Sequence, residues 1–178
     1  KFDSDIIAEQ PVINEDKTIT FKVAETATDD DLKALKPIIT ISENATVTPE
    51  SGVTQDFSGN KVVIYKVTSE DGTTVTEYKV SARKSSDALI TSFVFENNPI
   101  VAEQPVINED NTITFKVKAS ATADDLKALV PTITYSHKAT IAPESGVAQD
   151  FSDNKKVIYT VTSEDGTVIK EYQVFISG

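Results

Sequence analysis

Shifted against itself by 94 residues, the chain aligns Ala8–Lys84 with Ala102–Gly178 without a gap, and about 53 of the 77 aligned positions are identical. This tandem duplication limits the fold more than any other feature, because whatever one copy forms the other must form too. A period near 94 is too long for a solenoid unit and suits a small independent domain. The expected division is residues 1–84 and 85–178, joined through the short polar stretch "ARKSSDA" at Ala82–Ala88.

Inside each copy the local signals are those of strands. "TITFKV" recurs at Thr18–Val23 and Thr112–Val117, with Ile19, Phe21 and Val23 on one side of a period-two pattern and Thr20 and Lys22 on the other. The same alternation runs through Val63, Tyr65 and Val67, through Val157, Tyr159 and Val161, and through Tyr78 and Val80 or Tyr172, Val174 and Ile176. One helical interruption stands out. "ATDDDLKAL" and "ATADDLKAL" offer Thr28 or Thr122 as an N-cap, acidic residues in the first turn, leucines at helical spacing, and Pro37 or Pro131 just after. A helix of one or two turns is expected there. About seven short strands per copy indicate an all-β fold of two tandem immunoglobulin-like β-sandwiches, each with one short helical turn. The second copy shows its first strand as "ALITSFVF", with Ile90, Phe93 and Phe95 as core candidates. The matching stretch of the first copy would begin before Lys1, so that domain either lacks the strand or draws it from "KFDSDII", with Phe2 as the remnant.

"TSEDGT" occurs at Thr68–Thr73 and Thr162–Thr167 and could be a turn or a metal loop. Asp followed by Gly, between two strand patterns, suits the positive φ of a hairpin turn. The rival is a calcium loop, because Glu70 and Asp71 bring carboxylates together and "NED" recurs at Asn14–Asp16 and Asn108–Asp110. A calcium site needs about six or more oxygen ligands in a defined spacing, and neither loop has the Asp-x-Asp-x-Asp-Gly pattern. The turn is the expectation.

Charge narrows the function. The formal net charge of −11 is spread over both halves, and no basic stretch is present. A nucleic-acid binder needs clustered Lys and Arg, so nucleic acid is not an expected partner, and direct insertion into or attraction to an anionic membrane is disfavoured. With no cysteine there are no disulfides, thiolate nucleophiles or Cys-based metal sites. The chain opens "KFDSDIIAEQ", without Met or a signal-like apolar run, and reads as a mature or trimmed fragment.

The ordered combination of the short helix, "PTIT", "ATIAPESG", "QDFS" and the last hairpin resembles the tandem immunoglobulin-like domains of surface lipoproteins from Bacteroides-type bacteria. A more distant resemblance is to cadherin-like β-sandwich repeats of bacterial surface proteins. The resemblance implies an extracellular, cell-surface location, a lipid anchor upstream, and service beside glycan-capture or adhesion modules. It carries no catalytic residues onto this chain.

No enzyme activity and no cofactor are expected. His137 is the single histidine and faces Glu43 in the other copy, so a Ser-His-Asp arrangement would exist in one of two near-identical domains. The many carboxylates sit in turns, at helix starts or on outward strand positions, where capping and solubility explain them. The chain is expected to be a spacer or adhesion-type module whose partners are neighbouring domains of its parent protein; the rival is a glycan-binding module that meets polysaccharide. Sugar sites use exposed flat rings, and here there is no Trp, while eight of the 13 Phe and Tyr residues fall in matched pairs. Tyr135 and Phe175 replace Ile41 and Ser81 of the first copy. Candidate surface-contact residues are therefore Phe175 with Val168 and Ile158, and Tyr135.

Overall fold

In the computed structural model, which describes residues Lys1 to Gly178, the period-two segments are strands. They fall into two units, Lys1–Ser85 and Ser86–Gly178. Unit 1 contains β1 (Ile7–Ile13), β2 (Thr18–Val23), α1 (Asp29–Lys33), β3 (Thr46–Thr48), β4 (Val63–Thr68) and β5 (Val75–Arg83). Unit 2 contains β6 (Ile90–Val94), β7 (Val101–Ile107), β8 (Thr112–Val117), α2 (Ala123–Leu126), β9 (Thr132–Tyr135), β10 (Thr140–Ala142), β11 (Val157–Thr162) and β12 (Ile169–Ile176). The fold is all-β, a tandem of β-sandwiches with one short helix in each.

Each unit is built on a five-stranded sheet, ordered β1-β2-β5-β4-β3 in unit 1 and β10-β11-β12-β8-β7 in unit 2. The pairings are antiparallel except where β2 meets β5 and β8 meets β12, which run parallel. In unit 2 the second layer is the antiparallel pair β6-β9. Ile90, Phe93 and Ile133 from that pair join Ile113, Phe115, Tyr159, Val161, Tyr172 and Val174 from the large sheet in one buried cluster. Seven strands therefore form in unit 2 and five in unit 1. What unit 1 retains of the β6-β9 pair is one rung: the Lys1 amino group donates to the Ile38 carbonyl at 2.8 Å and the Ile38 N–H donates back to the Lys1 carbonyl at 2.8 Å.

Phe2 is the surviving part of that strand, as its place in "KFDSDII" suggests. It is 3% exposed and packs 4.4 Å from the Phe21 ring and 5.8 Å from Phe57. Phe95 does the same in unit 2, 4.8 Å from Phe115 and 5.9 Å from Phe151. Three rings tilted or edge-on to one another thus anchor each core.

The helices are single turns, capped at both copies by Thr28 with Asp31 and Thr122 with Asp125 in reciprocal capping boxes. The second leucine of each pattern lies beyond the helix. Leu35 and Leu129 are buried through isolated β-bridges to Gln55 and Gln149, not through helical continuation.

Candidate functional site

The loops were the first place to look for chemistry, and their carboxylates are already engaged. In the hairpin of β4 and β5, Asp71 Oδ1 accepts from the Ser69 hydroxyl at 2.6 Å, the Thr73 N–H at 3.0 Å and the Thr73 hydroxyl at 2.8 Å. These donors hold the Asp71 carboxyl down to about 2 from an ordinary 3.8, the Ser69 hydroxyl contributing most. Gly72 has φ 71°, the left-handed conformation a turn of this kind requires. Asp165 repeats the arrangement with Ser163 and Thr167.

The same device recurs along the chain. Asp16 bonds Thr18, Asp56 bonds Ser58, Asp110 bonds Thr112 and Asp150 bonds Ser152, each through the N–H and hydroxyl of the residue two places on. Lys61 and Lys155 pair with the second oxygens of Asp56 and Asp150. Asp-x-Ser/Thr is thus a turn signature used three times per unit. "DKT", "DFS" and "DGT" were legible as a set, yet only their acidity had drawn notice.

The four candidate surface-contact residues stand in three places. Ile158 is 50% exposed and pairs with Gln173 in the β11-β12 register; Phe175, two residues on, shares that outer face and is half-buried. The Lys156 ammonium sits 4.8 Å from the Phe175 ring centroid. Val168 lies at the far end of the hairpin, where its N–H donates to the Ser163 hydroxyl and its side chain packs against the core. Tyr135 ends β9 opposite Ile90 and also packs against the core. His137 is exposed in the turn that follows.

A concave feature that sequence reasoning missed lies in unit 1. A groove of about 320 Å³ opens between the large sheet and the segment Pro37–Ser42, with Ile19, Val47, Val67 and Tyr78 on one wall and Ile39 and Ile41 on the other. In unit 2 the corresponding space holds β6. There the Ile90 N–H donates to the Tyr172 hydroxyl at 3.2 Å, the Leu89 N–H to the Ser136 hydroxyl at 2.8 Å, and the Ser136 N–H to the Leu89 carbonyl at 2.9 Å. Residues that are buried in unit 2, namely Ile113, Ile133, Ile141, Val161 and Tyr172, have counterparts Ile19, Ile39, Val47, Val67 and Tyr78 that are only half-buried. Ile13 at the groove's rim is 69% exposed, whereas Ile107 packs against the core of its unit.

Comparison with known proteins gives a family and a partial structural likeness. The family described as "SGBP, N-terminal" matches the chain twice, over residues 1–82 and 90–176. Among solved structures, a Bacteroides thetaiotaomicron protein whose crystal structure carries the name of a glycoside hydrolase is 33% identical, with a TM-score of 0.44 over 51% of this chain. The chain spans 25% of that protein's length. No curated protein matches the chain.

Proposed function

The chain belongs to the SGBP, N-terminal family through both of its units, and on that premise we propose that it is a non-catalytic spacer of a surface glycan-binding protein. Its task is to hold glycan-capture or adhesion domains of the same polypeptide away from the outer membrane. With this reading go a cell-surface location, a lipid anchor elsewhere in the parent protein, and neighbouring domains as first partners. The family name, given to starch- and glycan-binding proteins, supports the setting.

The observation that carries the spacer role is the fate of the aromatic rings. Of 13 Phe and Tyr side chains, ten are buried and Tyr78, Tyr135 and Phe175 are half-buried. Sugar stacking needs a ring face open to the ligand with polar neighbours for the hydroxyls. The rings here are spent on the two cores, and Phe175 is approached by the Lys156 ammonium. Two folded sandwiches with a polar, acidic surface are suited to span distance without associating with themselves.

A second reading, direct glycan binding, is favoured by Ile158 and Phe175 sharing the outer face of the unit 2 sheet. Affinity electrophoresis of the purified chain through gels containing a panel of polysaccharides, with and without calcium, separates the two. The spacer predicts unchanged mobility throughout. Retardation that a Phe175→Ala variant loses would replace it with the glycan-binding reading.

A further inference from the structure

We propose that the groove of unit 1 is a strand-acceptor site: it takes an extended apolar polypeptide strand of the β6 pattern, paired antiparallel with residues Ile39–Ser42. The internal repeat supplies the template, because unit 2 shows the same walls with that strand in place. There β6 puts Ile90 opposite Tyr135 and Phe93 opposite Ile133, and both side chains are buried. Phe93 meets the Tyr159 ring at 5.4 Å. The matching ring in unit 1, Tyr65, lines the groove.

Three features of unit 1 point to a polypeptide occupant. The Lys1–Ile38 rung is already formed, so a strand along Ile39–Ser42 continues an existing ladder. Tyr78 Oη makes no hydrogen bond within the chain, although its counterpart Tyr172 receives a strand N–H, and the Ser42 N–H and hydroxyl are likewise unpaired where Ser136 holds Leu89. The walls are mainly isoleucine, valine and tyrosine, which reward apolar side chains at alternate positions. A sugar laid there would lose water from its hydroxyls against groups that cannot replace it.

The strand chemistry is therefore that of residues 88–93, Ala-Leu-Ile-Thr-Ser-Phe, with backbone donors for Tyr78 and Ser42 and apolar groups two and three residues apart. The proposal is independent of the spacer function.

A fluorescent, end-blocked peptide with the sequence of residues 87–93 tests it against the whole 178-residue chain by anisotropy and by peptide-resolved hydrogen exchange. A second variant joins residues 88–93 ahead of Lys1, so that a weak strand acts at high effective concentration. Saturable binding, with exchange slowed at 39–42 of unit 1, is expected from the free peptide, the joined one, or both. Tyr78→Phe should weaken the free peptide about twofold to tenfold through loss of one hydrogen bond. A peptide with Asp in place of Ile90 and Phe93 should not bind. No slowing at 39–42 with either form overturns the proposal, as does equal binding of the Asp-substituted peptide. Slowing at 39–42 produced by raising chain concentration alone would assign the groove to a second copy, and slowing by a polysaccharide would assign it to a glycan; either result also overturns it.

Discussion

The side-chain amide of Gln104 makes both hydrogen bonds of a β-rung with Phe95, accepting from its N–H at 2.9 Å and donating to its carbonyl at 2.9 Å. Gln10 does the same for Phe2. A side chain from the irregular stretch of β7, where the pairing with β8 shifts register, thus stands in for a neighbouring strand and satisfies the backbone just beyond β6. Gln104→Ala leaves a partly buried N–H and carbonyl unpaired, and a loss of about 1–3 kcal/mol is expected. Gln104→Glu can accept but not donate, so it should recover only part of that loss. Urea unfolding of the whole chain, followed by hydrogen exchange in unit 2, measures both; a neutral Gln104→Ala would show that the clamp adds nothing.

The two units should differ in stability although their sequences nearly match. Unit 2 buries Ile90 and Phe93 where unit 1 keeps an open groove. Unit 1 is expected to open first in urea, detected as earlier loss of exchange protection in β4 and β5. Phe93→Ala removes a fully packed ring and should cost unit 2 about 3–5 kcal/mol, bringing the two transitions together or reversing their order. Coincident transitions in the unaltered chain would contradict this account.

Much of the fold could be read from the residues. Period-two runs placed Phe21, Tyr65, Phe115, Tyr159 and Val174 inside, and the Asp-Gly pairs placed the hairpins. Strand parity put Phe175 on the face opposite Val174. It could not place Val168, whose position depends on where the hairpin turns and how the turn folds back through Ser163. The Gln10 and Gln104 clamps escaped notice because a side chain reaching backbone across a gap of eight or nine residues leaves no periodic trace. The groove escaped for a different reason: Tyr78 and Tyr172 occupy equivalent strand positions, and only a tertiary neighbour, β6, makes one half-buried and the other buried.

Acid should act through the turn aspartates. Asp16, Asp71 and Asp110 have carboxyls held below the ordinary 3.8 by Thr or Ser donors, and Asp56 and Asp150 lie lower still, chiefly through Lys61 and Lys155. A carboxyl whose folded pKa is lowered contributes stability that is complete above the unfolded value and is lost as pH falls through the folded one. For Asp71 that window runs from about 3.8 down to about 2. The Tm of the chain should therefore decline between pH 4 and pH 2 (approximate limits). Asp71→Asn keeps an acceptor oxygen but cannot titrate, so unit 1 of that variant should lose less Tm across the window; an unchanged slope would remove Asp71 from the acid response.

Alkali should act through the paired tyrosines. Tyr65 and Tyr159 are buried, and their hydroxyls have no hydrogen-bond partner in the protein. Burial alone pushes the Tyr65 phenol up to about 12 and Tyr159 higher still, because the phenolate would lose its hydration without gaining a donor. A group whose folded pKa is raised gives stability that is full below the unfolded value of about 10 and is lost as pH climbs through the folded one. Both units should therefore weaken above pH 10 or so. Tyr159→Phe removes the titrating group together with an unpaired buried hydroxyl, so at neutral pH it should leave the Tm of unit 2 unchanged or raise it, the unpaired group having cost about 1–3 kcal/mol. Above the same pH its Tm should fall less steeply than that of the unaltered chain. A clear drop in neutral Tm for Tyr159→Phe would mean that the hydroxyl is satisfied in solution, and the steep alkaline loss would then need another source.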